Sequence, residues 1–317
     1  VSIATVSRVL NNKGTVSAAT RARVEAILKQ NNYTPSAIAR GMVSKSMRTV
    51  AVLTVDIRVP HYARTAYTIE REFSRRGYEV ILCNTGGDRA ETLRYLQVVN
   101  QKQVDGIVLV GSVFDTICQG AEMEKLLTGV PVVLANGKLD LPNAYSVTVD
   151  DKYGVSLAVE HLAERGRQNI YYIKDRDTDS AKAKRNGFLE AMRRNGLEFA
   201  DHVLEAGETL ASSMETVQAL LTQGIVPDGI VCGEDLTAAG ALKALLRAGL
   251  RVPGQVAVVG FNNSDYAHLC EPVLTSVDNK PEQVALLCVQ LLESNIERSE
   301  AYSSVVLQPE LAQGETS

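Results

Sequence analysis

Cations are concentrated at one end of this 317-residue chain. Residues 1–48 hold eight Lys and Arg side chains and a single acid, Glu25, so this segment carries a formal charge of +7. The whole chain stands at −4, which leaves −11 on residues 49–317. Clustered cations bind phosphate and release its counterions, so a basic head on an acidic body predicts nucleic-acid binding. A pair of solvated basic helices would give the same count, and charge alone leaves that alternative open.

The sequence contains no catalytic or metal-binding motif. Its five cysteines are widely spaced and form no CxxC pair, which indicates thiols in a reducing cytosol rather than disulfides or a metal site. No HExxH, GxSxG or phosphate-loop pattern occurs. No apolar run reaches the roughly 18 to 20 residues that cross a bilayer. We therefore predict a protein that is not an enzyme, uses no cofactor and has no membrane partner.

The residues after Thr49 alternate between short apolar strands and amphipathic helices. The strand segments include TVAVLTV, DGIVLVG, NIYYIK and QVAVVGFN, and helices such as YGVSLAVEHLAERG lie between them. Near-continuous Val and Ile runs joined by helices predict parallel sheets covered on both faces, an α/β fold. Ligands of such sheets bind at the carboxyl ends of the strands, so a binding site is expected there.

Two short helices are predicted within the basic head. Ser2 suits the N-cap of a helix that ends by Gly14, and Ser17 suits the N-cap of a second helix. Two such helices bury too little surface to fold alone. Pro35 then begins a third helix of about three turns, which Gly41 makes marginal because glycine disfavours helix interiors.

The segment VSIATVSRVLNNKGTVSAATRARVEAILKQNNYTPSAIARGM resembles the DNA-binding headpiece of the LacI/GalR family of repressors. The resemblance makes residues 1–34 a partial helix-turn-helix, in which the helix starting at Ser2 is the recognition helix and the first helix is missing. Residues 1–34 are therefore expected to be poorly folded in isolation. Residues 35–48 become a hinge helix and linker, paired on DNA with the hinge of a second subunit.

The same resemblance assigns contacts to double-stranded DNA. Ile3 and Ala4 take base-reading places in the major groove, where apolar side chains can contact thymine methyl groups. Hydroxyls at a helix start suit phosphate, and an apolar hinge side chain can wedge open a minor-groove step. The supporting residues near the recognition helix are Ser2, Thr5, Ser7, Arg8 and Asn11, the phosphate contacts are Ser17 and Thr20, and the hinge positions are Ala39, Met42 and Val43.

The body resembles the two-lobed, periplasmic-binding-protein-like sensor of the same family, in blocks such as PVVLANGK, SVTVDDKYGVSLAVEHL and GLRVPGQVAVVGFN. The resemblance implies that residues 49–317 bind an effector and form a homodimer. Lobe one would comprise about 49–148 and a return after 277, and lobe two about 149–276. The helix HYARTAYTIEREFSRRG and the segment ALLRAGL are the expected dimer surface.

Effector-binding positions follow from the same resemblance. They are His61, Tyr62, Asn136, Lys184, Thr209, Glu234, Asp235 and Asn262. Lys184 stands in the place of a ligand-binding Arg, and Asn262 replaces an Asp that accepts from sugar hydroxyls. Because an amide is neutral, the cleft is expected to be less acidic than a typical neutral-sugar site. An acidic sugar derivative is therefore one hypothesis for the effector, and a neutral sugar held by different contacts, or no ligand, is the alternative.

These features together predict a transcription regulator, in the first instance a repressor. It would bind a pseudo-palindromic operator as a homodimer and respond to a small-molecule effector between its lobes. Effector affinity and DNA affinity would then be coupled reciprocally. The alternative is a soluble sugar-binding receptor without DNA binding, for which a basic head is not expected.

Overall fold

The computed structural model describes residues 1–10, 14–31, 46–297 and 303–317. Its internal contacts divide the chain into two units, Val1–Arg48 and Thr49–Ser317, and each is described by itself. Across the described residues, no helix is both long and apolar enough to cross a lipid bilayer.

The basic unit contains two helices, α1 (Ile3–Leu10) and α2 (Ala18–Gln30). Each helix begins beside a serine. The Thr5 amide donates to Ser2 Oγ at 3.2 Å, and the Thr20 amide donates to Ser17 Oγ at 3.3 Å. These bonds satisfy helix-start amides that have no partner within the helix. The serine caps expected from the sequence are therefore present, and the helices bury Val9 and Val24.

The first lobe of the larger unit is a parallel six-stranded sheet with the strand order β11-β5-β4-β3-β1-β2. Its strands are β1 (Thr49–Thr54), β2 (Glu79–Asn84), β3 (Gly106–Val110), β4 (Val132–Ala135), β5 (Ala144–Val149) and β11 (Val305–Leu307). Its helices are α3 (Pro60–Arg75), α4 (Arg89–Gln101), α5 (Phe114–Ile117), α6 (Ala121–Leu127) and α12 (Pro281–Glu297). Strand β3 is buried and apolar along its whole length, because two separate apolar clusters cover the two faces of the sheet.

The second lobe is also a six-stranded sheet, with the order β12-β10-β9-β8-β6-β7. Its strands are β6 (Ile170–Lys174), β7 (Val203–Glu205), β8 (Gly229–Cys232), β9 (Ala257–Phe261), β10 (Thr275–Asp278) and β12 (Glu310–Ala312). Its helices are α7 (Asp151–Glu164), α8 (Asp179–Arg194), α9 (Leu210–Thr222), α10 (Asp235–Arg247) and α11 (Asp265–Leu269). All pairings are parallel except that of β10 with β12. The predicted α/β fold with two parallel sheets is therefore confirmed.

The chain crosses between the lobes three times. It enters the second lobe between β5 and α7 and leaves it after β10, and α12 then packs on the first-lobe core through Val284, Cys288 and Leu292. The third crossing follows β11 and brings β12 beside β10. The expected division, with a return to lobe one after 277, does not include this last crossing. Backbone pairing with β10 and the bond from Thr316 Oγ1 to Val258 O, at 2.6 Å, hold the terminal segment on the second sheet.

The packing of α8 against α7 generates a prediction about stability. A Cβ atom added at Gly187 would lie 2.3 Å from the backbone oxygen of Lys152, so Gly187→Ala must push the two helices apart. We expect this substitution to lower the free energy of unfolding by about 1–3 kcal/mol, as overpacking does. Urea unfolding measures the loss. As the matched control, Gly129→Ala adds the same methyl group in open space and should change stability by less than about 0.5 kcal/mol. Equal effects of the two substitutions would show that the helix contact does not constrain position 187.

Candidate functional site

A polar cavity lies between the two lobes, at the carboxyl ends of their parallel strands. The space between its atoms, together with the open solvent at its mouth, amounts to about 580 Å³. Its wall includes six of the predicted residues: His61 and Tyr62 from the start of α3, Asn136 after β4, Lys184 on α8, Glu234 at the N-cap of α10 and Asn262 after β9. Sheet topology therefore brings together side chains that are up to about 200 positions apart along the chain.

Lys184 is a buried cation on this wall. Its Nζ donates to the backbone oxygen of Gly233 at 2.9 Å and lies 3.7 Å from the centroid of the Phe261 ring. The ring face is electron-rich and attracts a desolvated ammonium group. These two contacts fix the position of the ammonium group inside the second lobe.

A second cation, Arg176, was not identified from the sequence. Its Nε donates to Asp175 Oδ2 at 3.0 Å, and its Nη2 lies 3.5 Å from Glu208 Oε2 and 4.0 Å from Glu234 Oε1. Burial lowers the pKa of Arg176, but Glu234 and Asp175 raise it overall, so the guanidinium remains charged. Its position two residues after β6 could have indicated it in the sequence, because residues at the carboxyl ends of strands line such sites.

Carboxylates balance these two cations. Asp151, Asp175 and Glu234 line the cavity, and Ser180 Oγ donates to Asp151 Oδ2 at 2.6 Å. The expectation that the cleft is less acidic than a typical neutral-sugar site stays a prediction. Asp151 and Asp175, which are not among the residues predicted from the sequence, add their carboxylates to that of Glu234.

His61 and Tyr62 bring the first lobe to the cavity. His61 Nδ1 lies 3.8 Å from Glu234 Oε1, across the boundary between the lobes. Burial, with Arg176 and Lys184 nearby, lowers the pKa of His61 to about 3, so the imidazole is neutral at physiological pH. Tyr62 lines the cavity and also belongs to the first-lobe core. Burial raises the pKa of Tyr62 to about 12.

Glu234 is the centre of the polar contacts. The side-chain Nδ2 of Asn262 donates to Glu234 Oε2, and the Nδ2 of Asn279 donates to Asn262 Oδ1 at 2.7 Å. Burial raises the pKa of Glu234 to about 7, against the opposing effect of Lys184 and Arg176. Asn262 has a φ of +98°, a backbone conformation that Asn tolerates better than most residues and that turns the chain directly after β9.

Two predicted residues are not part of the wall. Asp235 is fully buried beneath it and accepts from the Ser264 amide and from Ser276 Oγ, each at 2.6 Å, so it holds the turns after β9 and before α11 in place. Burial raises the pKa of Asp235 to about 6. Thr209 is exposed and forms the N-cap of α9, in a capping box with Ser212. The length of the preceding loop, which the sequence left uncertain, places it outside the cavity.

The predicted DNA-contacting residues lie in the other unit. Ser2, Ala4, Arg8 and Ser17 are exposed, and Thr5, Ser7 and Thr20 are half-buried. Ile3 is the first residue of α1. Asn11 and the hinge positions Ala39, Met42 and Val43 lie outside the described residues.

A basic unit with serine-capped helices and a two-lobed unit around a polar cavity define a class of protein. The class is the DNA-binding transcription regulators whose sensor resembles periplasmic binding proteins. Residues 1–36 match the family model described as bacterial regulatory proteins, lacI family, and residues 159–317 match the periplasmic binding protein-like domain.

Comparison with known proteins identifies the family. The ribose operon repressor of Halalkalibacterium halodurans is 34% identical over 299 residues, which cover 94% of this chain and 88% of that protein. The complex of the transcriptional regulator CelR with cellobiose has 26% identity and a TM-score of 0.73, over 100% of this chain and 96% of that one. The Lac repressor dimer bound to operator and the anti-inducer ONPF has the same fold, with a TM-score of 0.88 at 24% identity over 100% and 95% of the two chains. The chain belongs to the LacI family, and these relatives are regulators rather than enzymes.

The buried carboxyls generate a prediction about pH. Burial raises to about 7 the pKa of Glu234 and that of Asp115, which lies on α5 of the first lobe outside the cavity wall. Both values are above those of the unfolded chain, so the folded state holds these protons to higher pH. Stability therefore falls as pH rises toward and through 7. His61 acts in the opposite direction, but only between its folded pKa of about 3 and its unfolded value of 6.5. Above pH 6.5 the carboxyls dominate.

We expect the midpoint of thermal unfolding to decrease by roughly 3 °C between pH 6.5 and pH 8. Differential scanning calorimetry of the full chain measures the change. The double variant Glu234→Gln/Asp115→Asn should show a flatter profile over the same range, because neither amide titrates. A wild-type midpoint that is constant or rises over this range would contradict the assignment.

Proposed function

We propose that this chain is a repressor whose affinity for its operator changes when a sugar binds between its two lobes. The single observation that carries the proposal is the composition of the cavity wall. His61 and Asn136 come from the first lobe, and Lys184 and Glu234 come from the second. A ligand that touches both lobes stabilises one arrangement of them over others, and this difference in affinity is what couples two sites.

The charges of the wall favour a neutral, hydroxyl-rich effector. Arg176 is matched by Asp175 and Glu234, so an added anion would compete with carboxylates that already surround the cation. The side-chain oxygens (Oδ1) of Asn136 and Asn279 are buried and accept no hydrogen bond from the described residues. Unpaired buried acceptors are costly and are satisfied by hydroxyl donors. A neutral sugar therefore fits better than a sugar acid or sugar phosphate, and the name of the ribose operon repressor supports ribose as the first candidate.

The roles in DNA binding are proposed on the basis of family membership. Ile3 and Ala4 would read bases in the major groove, with the hinge wedge at Met42 in the minor groove. The other contacts would come from Ser2, Thr5, Ser7, Arg8, Asn11, Ser17, Thr20, Ala39 and Val43. We assign the headpiece to 1–34, the hinge and linker to 35–48, and the effector-binding and dimerisation domain to 49–317. A homodimer would present two headpieces to a pseudo-palindromic operator.

The DNA-binding proposal predicts a steep salt dependence. Operators can be selected from a pool of pseudo-palindromic duplexes, and affinity then followed by fluorescence anisotropy. Raising the salt from 50 to 200 mM should weaken binding by about 1,000-fold or more, because many phosphate contacts release counterions. Arg8→Ala should weaken binding by about tenfold at a fixed salt concentration. Arg193→Ala, near the end of α8 and outside the expected dimer surface, is the matched control and should leave affinity unchanged. Failure to select any duplex would favour the alternative of a sugar receptor without DNA binding.

The effector proposal predicts which ligands give heat in calorimetry. D-ribose should bind, whereas ribose 5-phosphate and gluconate should not. Asn136→Gly should reduce ribose affinity by about tenfold, since it removes one hydrogen bond, and glycine tolerates the φ of +56° at this position. Thr209→Ala should leave ribose affinity unchanged, because Thr209 lies outside the cavity. Heat from the acidic sugars alone would overturn the assignment to a neutral effector.

A further inference from the structure

Three polar side chains at neighbouring strand ends form a hydrogen-bonded chain. Asn262 Nδ2 donates to Glu234 Oε2, and Asn279 Nδ2 donates to Asn262 Oδ1 at 2.7 Å. Glu234 follows β8, Asn262 follows β9 and Asn279 follows β10, so the chain runs along one edge of the second sheet. Asn262 is 3% exposed and Asn279 is 5% exposed, so water is largely excluded from both amides.

The direction of this chain is fixed at its carboxylate end. An ionised carboxylate only accepts hydrogen bonds, so Asn262 must turn its NH2 group toward Glu234. The Oδ1 atom of Asn262 then faces Asn279, which must donate a hydrogen bond to it from its own NH2 group. The remaining group of Asn279, Oδ1, is buried and receives no hydrogen bond from any described residue. Asn279 is also part of the cavity wall.

We propose that Glu234 determines which ligand group the cavity accepts at Asn279, a place where Glu234 itself does not have to contact the ligand. By orienting both amides, its carboxylate makes Asn279 present a carbonyl acceptor, which selects a ligand with a hydroxyl or N–H donor there over one with an acceptor only. The direction of the chain is a property of the protein alone. The selectivity rests on the proposed function, since it needs a ligand in the cavity.

Protonation of Glu234 would release the constraint. The carboxylic acid gains an O–H donor, so the chain can also run in reverse: Glu234 donates to Asn262 Oδ1, Asn262 Nδ2 donates to Asn279 Oδ1, and the Asn279 NH2 group becomes available. Burial raises the pKa of Glu234 to about 7, which puts this change within the physiological range. The charged and titratable groups that face Glu234 are His61 and Tyr62 from α3, Tyr172 on β6, Asp175 and Arg176 after β6, Lys184 from α8, and Asp235 from α10.

A cycle of variants, each measured in the complete 317-residue polypeptide without ligand, tests the direction of the hydrogen-bonded chain. In Asn279→Asp, a carboxylate oxygen replaces the NH2 group that lies 2.7 Å from Asn262 Oδ1, and Glu234 prevents Asn262 from turning. We expect the midpoint of thermal unfolding to fall by about 5 °C. Adding Glu234→Gln supplies an amide donor at the other end, so the chain can reverse and at least half of the loss should be recovered.

The control separates reversal of the chain from simple relief of charge. Asp151→Asn/Asn279→Asp has the same net charge as Glu234→Gln/Asn279→Asp, but Asp151 accepts from Ser180 and is not a member of the chain. We expect no recovery in this control. Equal recovery in the two double variants, or none in either, would overturn the proposal.

Selectivity is tested at pH 8 with D-ribose and its 2-, 3- and 5-deoxyfluoro analogues, each of which replaces one hydroxyl donor by fluorine. In the wild type, at least one analogue should bind about tenfold more weakly than ribose. Glu234→Gln should reduce that ratio to below about threefold, because Asn279 can then turn its NH2 group to the fluorine. An unchanged ratio in Glu234→Gln would overturn the selectivity. Absence of ribose binding to the wild type would contradict the proposed effector instead, and the variant cycle would then decide the present proposal.

Discussion

Every charge buried at the cavity between the two lobes has to be paired or hydrogen-bonded, and the rest of the site depends on this constraint. An isolated charge that leaves water is strongly destabilised unless it is paired or hydrogen-bonded. Arg176 meets this requirement with Asp175 and Glu234, and Lys184 meets it with a backbone oxygen and an aromatic face. The second lobe therefore supplies a polar frame whose cations already have partners. A ligand in the cavity meets hydrogen-bonding groups rather than an unbalanced charge.

Close backbone packing holds this polar frame in place. A Cβ atom at Gly260 would lie 2.3 Å from Asp235 Oδ1, so only glycine on β9 leaves room for the carboxylate that fixes the turn after that strand. Gly187 lets α8 approach the backbone of α7, and the same helix carries Lys184 one turn earlier. Positions without side chains thus decide where the charged side chains stand. The chemistry of the cavity and the packing of the lobe are consequently one structural problem.

The two lobes contribute unequal parts of the cavity. The second lobe provides most of the charged groups, whereas the first provides His61, Tyr62 and Asn136, which carry no charge at neutral pH. Across the boundary between the lobes, His61 Nδ1 lies 3.8 Å from Glu234 Oε1. Three chain crossings join the lobes, and after the second of them α12 packs on the core of the first lobe.

The amino-acid sequence by itself determined the local features: the apolar runs that become buried parallel strands, the serine caps of the basic helices, and the separation of a cationic head from an acidic body. It also identified Lys184, Glu234 and Asn262, because each stands in a recognisable block. Only the tertiary structure decided that Arg176, Asp151 and Asn279 join them, that Thr209 lies outside, and that β12 returns to the second sheet. The reason is physical. The spacing of apolar residues and the capping of helices depend on a few neighbouring residues. The order of the strands and the packing of the two lobes instead bring together groups that are far apart along the chain. Only these long-range contacts determine which charges share one cavity.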